Sequence, residues 1–436
     1  MSSEPSPFRI PNFRAFWLAR LTMTLAQYAM MLIIGWQTYN LGRDGGMSVG
    51  EASGQLALIG LLQFVPLFLL TPFTGLAADR FDRRDLGRLT VLLQLLCALV
   101  LAWFTWQDAI SLWVLYGVAV VLGVARAFAG PALSALAPNL VPAKVLPNAI
   151  ALSSIAWQTG MIVGPAVGGV LYEVIPALPY AAAAGLFAIS AIALSFIGDV
   201  PRGKPKGTAR PIKQVREGLE YVWRNKMVLG SITLDLFAVF LAGATALFPV
   251  YARDILQVGA TGLSQLAMAP AIGAALTALF FSFRPLRTQV GPKMLLAVAA
   301  FGMATVIFAF SKSMPLSLAM LFIVGAADMF SVYIRQSLIQ LHTPDDKRGR
   351  VSAVSQLTIS ASNEFGDFFS GSLAFLIGPV AAVALGGAGA IATVALWAVL
   401  FPVLRTTKTF DPPEDVLEAD ATSADARKRE TAEKGA

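Results

Sequence analysis

Twelve apolar runs, each near the roughly 20 residues that a membrane-crossing helix needs, restrict what this chain can fold into. They fall at 16–41, 52–73, 89–106, 112–134, 149–172, 177–198, 228–251, 263–283, 293–311, 316–338, 351–377 and 380–404. In lipid every backbone polar group must be satisfied internally, and helices do this within a single segment. Of the 436 residues, 56% are hydrophobic and only 14% charged. Soluble domains run near 25% charged, and no soluble core would hide this much apolar surface. The expected fold class is all-α, polytopic and membrane-embedded. The net charge of +7 does not point to nucleic acid, because the bases gather in alternate loops rather than on one face.

Twelve spans place both termini on one side. Loops on that side carry 19 bases, among them Arg80, Arg83, Arg84, Lys144, Arg284, Arg287, Lys347 and Arg350. Loops on the other side carry 3, namely Arg43, Arg253 and Lys312. The positive-inside bias therefore predicts cytoplasmic termini. The organisation read from these runs is a cytoplasmic segment 1–15, a six-helix bundle 16–198, a cytoplasmic linker 199–227, a second bundle 228–404 and a disordered cytoplasmic tail 405–436. Within the linker, Ile212, Val215, Leu219, Val222 and Trp223 recur at helical spacing, which predicts an amphipathic helix on the inner membrane surface. Met1 to Arg14 is polar and the first apolar run is too long for a cleaved leader, so that run reads as an uncleaved first helix. Cys97 is the one cysteine and His342 the one histidine, so no disulfide, metal site or cofactor is expected.

Two short motifs carry a family resemblance. Between the second and third runs stands Gly75-Leu-Ala-Ala-Asp79-Arg80-Phe-Asp82-Arg83-Arg84, a charged stretch that only a loop outside the hydrocarbon can hold. In the fifth run stands Gly160-Met-Ile-Val-Gly164-Pro165-Ala-Val-Gly168-Gly169. The first resembles the loop signature of the major facilitator superfamily and the second the "antiporter" motif of its exporters. Asp82, where many relatives carry glycine, resembles the branch of enterobactin-type siderophore exporters and macrolide effluxers. The resemblance covers roughly residues 10–405. It implies a major facilitator fold of 12 transmembrane helices in two pseudo-symmetric six-helix bundles, in a bacterial inner membrane. It also implies a proton-coupled exporter of a siderophore or drug-like amphiphile. An importer or uniporter of a small metabolite on the same fold is the alternative, and an enzyme is not expected. The expected partners are a small-molecule substrate, protons and the lipid bilayer, with the chain a monomer. The resemblance further implies that Asp79 latches the side of the eleventh helix in the outward-facing state, and that Arg126 on the fourth helix serves a proton relay.

The halves echo each other. Ala149-Ile-Ala-Leu-Ser and Val351-Ser-Ala-Val-Ser open the fifth and eleventh helices, and at that offset Gly164 matches Gly366 and Gly169 matches Gly371. Arg126 and Arg335 sit in corresponding helices. Such parallel repeats place a substrate between the bundles near the midplane.

Charges within the spans are rare and costly, so each is a candidate for a cavity or a pair. Glu364 and Asp367 are three apart on one helix face, where two carboxyls should not both ionise. They read as proton carriers, as a polar cavity lining or as a structural bond to a neighbouring helix. Asp328 and Arg335 share a face of the tenth helix: the deeper Asp328 is a proton-coupling candidate, and Arg335 lies close enough to the inner boundary to snorkel. Asp235, two turns into the seventh helix, reads as a proton or substrate contact or as an ion pair closing the inner gate. Gly160, Gly164, Gly168 and Gly169 offer small faces for close helix contact, and Pro165 removes a backbone donor. They fit either helix sliding or tight static packing. Gln27, Tyr28, Trp36, Gln37 and Tyr39 on the first helix, with Trp157 and Gln158 on the fifth, are substrate-path candidates, because bulky amphiphiles suit an apolar lining with few polar anchors. Gly387-x-Gly389-x-x-Ala392 mimics a dinucleotide fingerprint but lies inside an apolar run with no preceding strand.

Overall fold

The computed structural model of the chain describes residues 6–80, 82–136, 139–198, 211–344, 347–411 and 416. The side chains of 71–73, 75–80, 131–132, 134–135, 143, 211–215, 360–361 and 364 are outside that description. The first half is built from α1 (Pro11–Asp44), α2 (Val49–Arg80), α3 (Arg83–Trp106), α4 (Leu112–Leu136), α5 (Leu146–Val174) and α6 (Leu178–Ser195). The connecting helix α7 (Pro211–Arg224) follows. The second half is α8 (Lys226–Leu241), α9 (Gly259–Phe283), α10 (Val290–Phe310), α11 (Met314–Leu341), α12 (Arg348–Ile377) and α13 (Pro379–Leu400), ending in the short α14 (Pro402–Thr406).

Local chemistry sets the ends. Ser48 and Glu51 form a capping box at α2: Glu51 N donates to Ser48 Oγ at 3.2 Å and Ser48 N to Glu51 Oε2 at 2.7 Å. Asp82 caps α3 by accepting from Arg84 N, and Asn225 caps α8 by accepting from Met227 N and Val228 N. Proline occupies the first turn of α1, α6, α11 and α13, where its missing N–H has no helical partner anyway. The helices outrun the apolar stretches: α1 begins at Pro11 and α12 at Arg348.

Among the described residues, 11 helical segments are long and apolar enough to cross a membrane. The twelfth is α12, in which Phe365–Ile377 is an apolar stretch among the described residues. The seventh span runs from Lys226 to Ile255 and is interrupted after Leu241. A 3-10 turn at Thr245–Leu247 and a widened π-turn at Tyr251–Ile255 carry it to the far face.

The packing is the same in both halves. α1 packs on α5 and α6, and α8 on α12 and α13. α2 packs on α4, and α9 on α11; α3 packs on α4 and α6, and α10 on α11 and α13. The halves meet where α2 packs on α12 and α5 on α9, two equivalent seams. This is the pseudo-symmetric pair of six-helix bundles implied by the repeat. Phe13, Phe16, Met30, Leu101, Tyr180 and Phe187 fill the first core. Trp103, Trp106 and Trp113 project outward at one membrane boundary, where amphipathic rings are favoured.

α7 only partly matches its expected surface role. Val222 is buried with Val228, Ile232 and Val351, whereas Leu219 and Trp223 are exposed. Tyr221 Oη donates to His342 O at 2.6 Å, Glu217 pairs with Arg350 at 2.9 Å, and the Lys347 ammonium lies 5.2 Å from the centre of the Tyr221 ring. The apolar stripe is therefore divided between the second bundle and the outside, and α7 is tied to the ends of α11 and α12. Linker residues 199–210 and tail residues 417–436 lie outside the described residues.

Candidate functional site between the two bundles

The glycines of α5 work in two directions. A Cβ at Gly164 would stand 2.8 Å from Leu25 O and 2.9 Å from Tyr28 Cβ, and one at Gly168 would stand 3.1 Å from Ala29 O, all on α1. Gly160 likewise leaves no room against Thr24. Gly169 points across the seam, where a Cβ would collide with Ser264 of α9. The matching residues of α12 repeat this arrangement. A Cβ at Gly366 would stand 3.1 Å from Val239 O of α8, and one at Gly371 would stand 2.8 Å from Ala57 Cβ of α2. One glycine of each pair thus seats its helix on the first helix of its own half, and the other seats it on the second helix of the opposite half. Pro165 is buried within α5. Phe64 of α2 and Phe365 of α12 meet edge to face with centroids 4.4 Å apart, which adds an aromatic contact to the same seam.

The buried charges separate into different environments. Asp235 and Arg335 form an ion pair between α8 and α11, and both are almost fully buried. Both belong to the second bundle, so the pair does not bridge the halves and cannot be the inner gate between them. Arg335 does not snorkel either: only 2% of it is exposed. Asp367 accepts a 2.8 Å bond from Thr245 Oγ1, which lies in the interruption of the seventh span. Arg126 Nη1 donates to Gln63 Oε1 of α2 at 3.3 Å. Asp328 occupies the middle of α11, half-buried, and among the described residues it makes no hydrogen bond or ion pair. It shares a helix face with Arg335 two turns away, yet the arginine turns to Asp235 instead. Glu364 lies on α12, but its side chain is outside the described residues, as are those of Gly75, Asp79 and Arg80. The latch reading of Asp79 therefore falls outside the description. Arg83 is half-buried at the start of α3, and Arg84 pairs with Asp82 at 2.8 Å while donating to Ile197 O at 3.3 Å.

The amide and aromatic candidates divide as well. Gln37 is committed inside the first bundle, donating to Thr105 Oγ1 at 3.1 Å and accepting from Tyr180 Oη at 2.8 Å. Trp36 and Tyr39 are buried in a core shared with Leu247, Val250 and Tyr251 of the second half. Gln27 and Tyr28 are half-buried, with the Tyr28 ring 6.4 Å from that of Trp157 in an edge-to-face contact. Gln158 keeps a buried amide oxygen without a hydrogen-bond partner among the described residues. Tyr28 and Trp157 thus meet where α1 packs on α5.

Two sets of residues escaped the sequence reading. Arg20 lies within the first apolar run, and its buried Nε has no hydrogen-bond partner among the described residues. Arg43 and Arg253 read as loop bases, yet with Asp44 and Asp254 they join the two halves. The signal for the second set was present: an Arg-Asp dipeptide closes the first helix of each half.

Comparison with known proteins agrees with this architecture. Residues 16–366 match the family model described as Major Facilitator Superfamily, and the chain belongs to that family. It is 27% identical over 406 residues to the multidrug efflux pump Tap of Mycobacterium tuberculosis, covering 90% of this chain and 94% of the relative. It is 26% identical over 337 residues to macrolide efflux protein A of Streptococcus pyogenes, covering 74% and 81%. Among solved structures, a D-xylose-proton symporter superposes with a TM-score of 0.68 at 13% identity, covering 90% of this chain and 98% of that one. The xylose transporter of E. coli in an inward-open conformation gives 0.65 at 14% identity, covering 94% and 99%. At such identities the structural likeness concerns the fold alone.

Proposed function

We propose that the chain is a proton-coupled exporter of amphiphilic, drug-like small molecules. It works by alternating access in the bacterial inner membrane, with both termini in the cytoplasm. Efflux is favoured by the relatives, which are named as multidrug and macrolide pumps. The same names favour a drug-like cargo over a siderophore. The orientation rests on the 19 to 3 distribution of loop bases.

Proton coupling is carried by one observation, the half-buried Asp328 at the middle of α11 with no countercharge among the described residues. Asp235 already has Arg335 and Asp367 has Thr245. A carboxyl at membrane depth without a counter-ion is neutralised by a proton or by a cationic ligand. Competition between the two links cargo to proton. Each ligand favours the cavity orientation that binds it better, so the two bind in alternation and the gradient drives export. Tyr28 and Trp157 supply an aromatic wall for the cargo.

The test is flux in proteoliposomes under an imposed pH gradient, using a macrolide and a lipophilic cationic dye as cargo. A gradient directed against cargo movement should raise initial flux at least about five-fold, the lower range of ordinary coupling energies. Flux indifferent to the gradient rejects antiport.

A further inference from the structure

The halves exchange charge on the membrane face opposite the termini. α1 ends in Tyr39-Asn40-Leu41-Gly42-Arg43-Asp44, and the seventh span, its counterpart, ends with Tyr251-Ala252-Arg253-Asp254. Arg43 Nη2 lies 3.2 Å from Asp254 Oδ1, and Arg253 Nη2 lies 2.5 Å from Asp44 Oδ1. Each arginine thus meets the aspartate of the other half. Tyr39 Oη also donates to Asp254 Oδ2, and Arg253 Nη1 donates to Asn40 Oδ1 at 2.6 Å.

Backbone geometry supports this exchange. The π-turn at Tyr251–Ile255 is fixed to α10 by Tyr251 Oη, which donates to Ala309 O at 2.9 Å. At the α5–α9 seam on the same face, Glu173 Oε1 accepts from Thr261 N at 3.0 Å. Arg43, Asp254 and Arg253 are each between 22% and 28% exposed at the side chain, so water already reaches them. They are placed to part and rehydrate at modest cost, unlike the fully enclosed Asp235–Arg335 pair.

We infer that this reciprocal Arg–Asp exchange is the lock that holds the face opposite the termini shut, and that its strength sets the resting balance between the two cavity orientations. The inference rests on the alternating-access reading but on neither the cargo nor the proton.

The test uses the full chain carrying Cys97→Ala and Ser264→Cys. Ser264 is 2% exposed and lies on the α5–α9 seam against Gly169, so opening of that face uncovers it. A membrane-impermeant thiol reagent is applied from the side opposite the termini. Asp254→Arg or Arg43→Asp should each speed labelling at least about five-fold. Arg43→Asp combined with Asp254→Arg should return it to within about two-fold of the parent, because the swapped charges pair again. If a reversal prevents membrane insertion, Asp254→Asn gives the same reading with a smaller acceleration. Labelling unchanged by the single variants, or a swap no slower than either reversal, overturns the lock. Since the assay needs no cargo and no gradient, its outcome is independent of whether antiport holds.

Discussion

The two halves share a scaffold and differ in charge. At the repeat offset Gly164 and Gly366 seat α5 and α12 on equivalent helices, as do Gly169 and Gly371. Yet Ile162 and Pro165 of α5 stand where α12 carries Glu364 and Asp367. Away from the ends of the apolar runs the first half holds the bases Arg20 and Arg126, whereas the second holds Asp235, Asp328, Glu364 and Asp367 beside Arg335. On the proposed reading, the symmetric glycines serve movement and the acidic chemistry belongs to the second half. A helix that only slides needs small faces, and a helix that also titrates must accept the cost of a carboxyl in lipid.

The largest expected effect separates the two arginines. Arg335→Ala strands Asp235 as an unpaired buried charge and should cost about 3–5 kcal/mol of stability. Arg126→Ala removes a guanidinium that is half-buried rather than enclosed and that donates to Gln63, and should cost less, about 1–3 kcal/mol. Thermal unfolding followed by reaction of Cys97, the single and buried cysteine, reads both. Equal losses would break the contrast between halves. Replacing the pair as Asp235→Leu with Arg335→Met should recover most of the stability, as expected where burial rather than attraction dominates.

The next effect sharpens the shared part of the comparison. Gly169→Leu and Gly371→Leu each drive a side chain into a seam between halves, while Gly164→Leu wedges α5 from α1 within one half. Overpacking of this kind costs about 1–3 kcal/mol. For the seam variants that cost should fall on the closed face, seen as lost transport with little change in unfolding temperature. For Gly164→Leu it should fall on stability. Stability losses in all three would show that the seams are static packing.

Most of the fold was legible because lipid imposes one rule on every span: length and apolarity set the helices, and the loop bases set the expected orientation. The repeat was legible through Gly164, Gly169, Gly366 and Gly371, since close helix approach admits few residue types. The site was less so. Sequence spacing put Asp328 and Arg335 on one face, and only the tertiary arrangement could show Arg335 turned to Asp235 on another helix. Gln37 looked free to line a path, but its amide is held by Thr105 and Tyr180 from two neighbouring helices. The Arg-Asp exchange escaped because charges at span ends read first as topology, and a contact between residues some 210 positions apart leaves no local periodicity.

The account depends most on Asp328 exchanging a proton for cargo. In a weakly buffered detergent solution, adding a macrolide to the purified protein should release protons at a pH where the site is protonated. Asp328→Asn should abolish that release while Asp235→Asn combined with Arg335→Gln retains it. Undiminished release from Asp328→Asn would show that Asp328 is not the proton carrier and move the proton to another carboxyl of the second half.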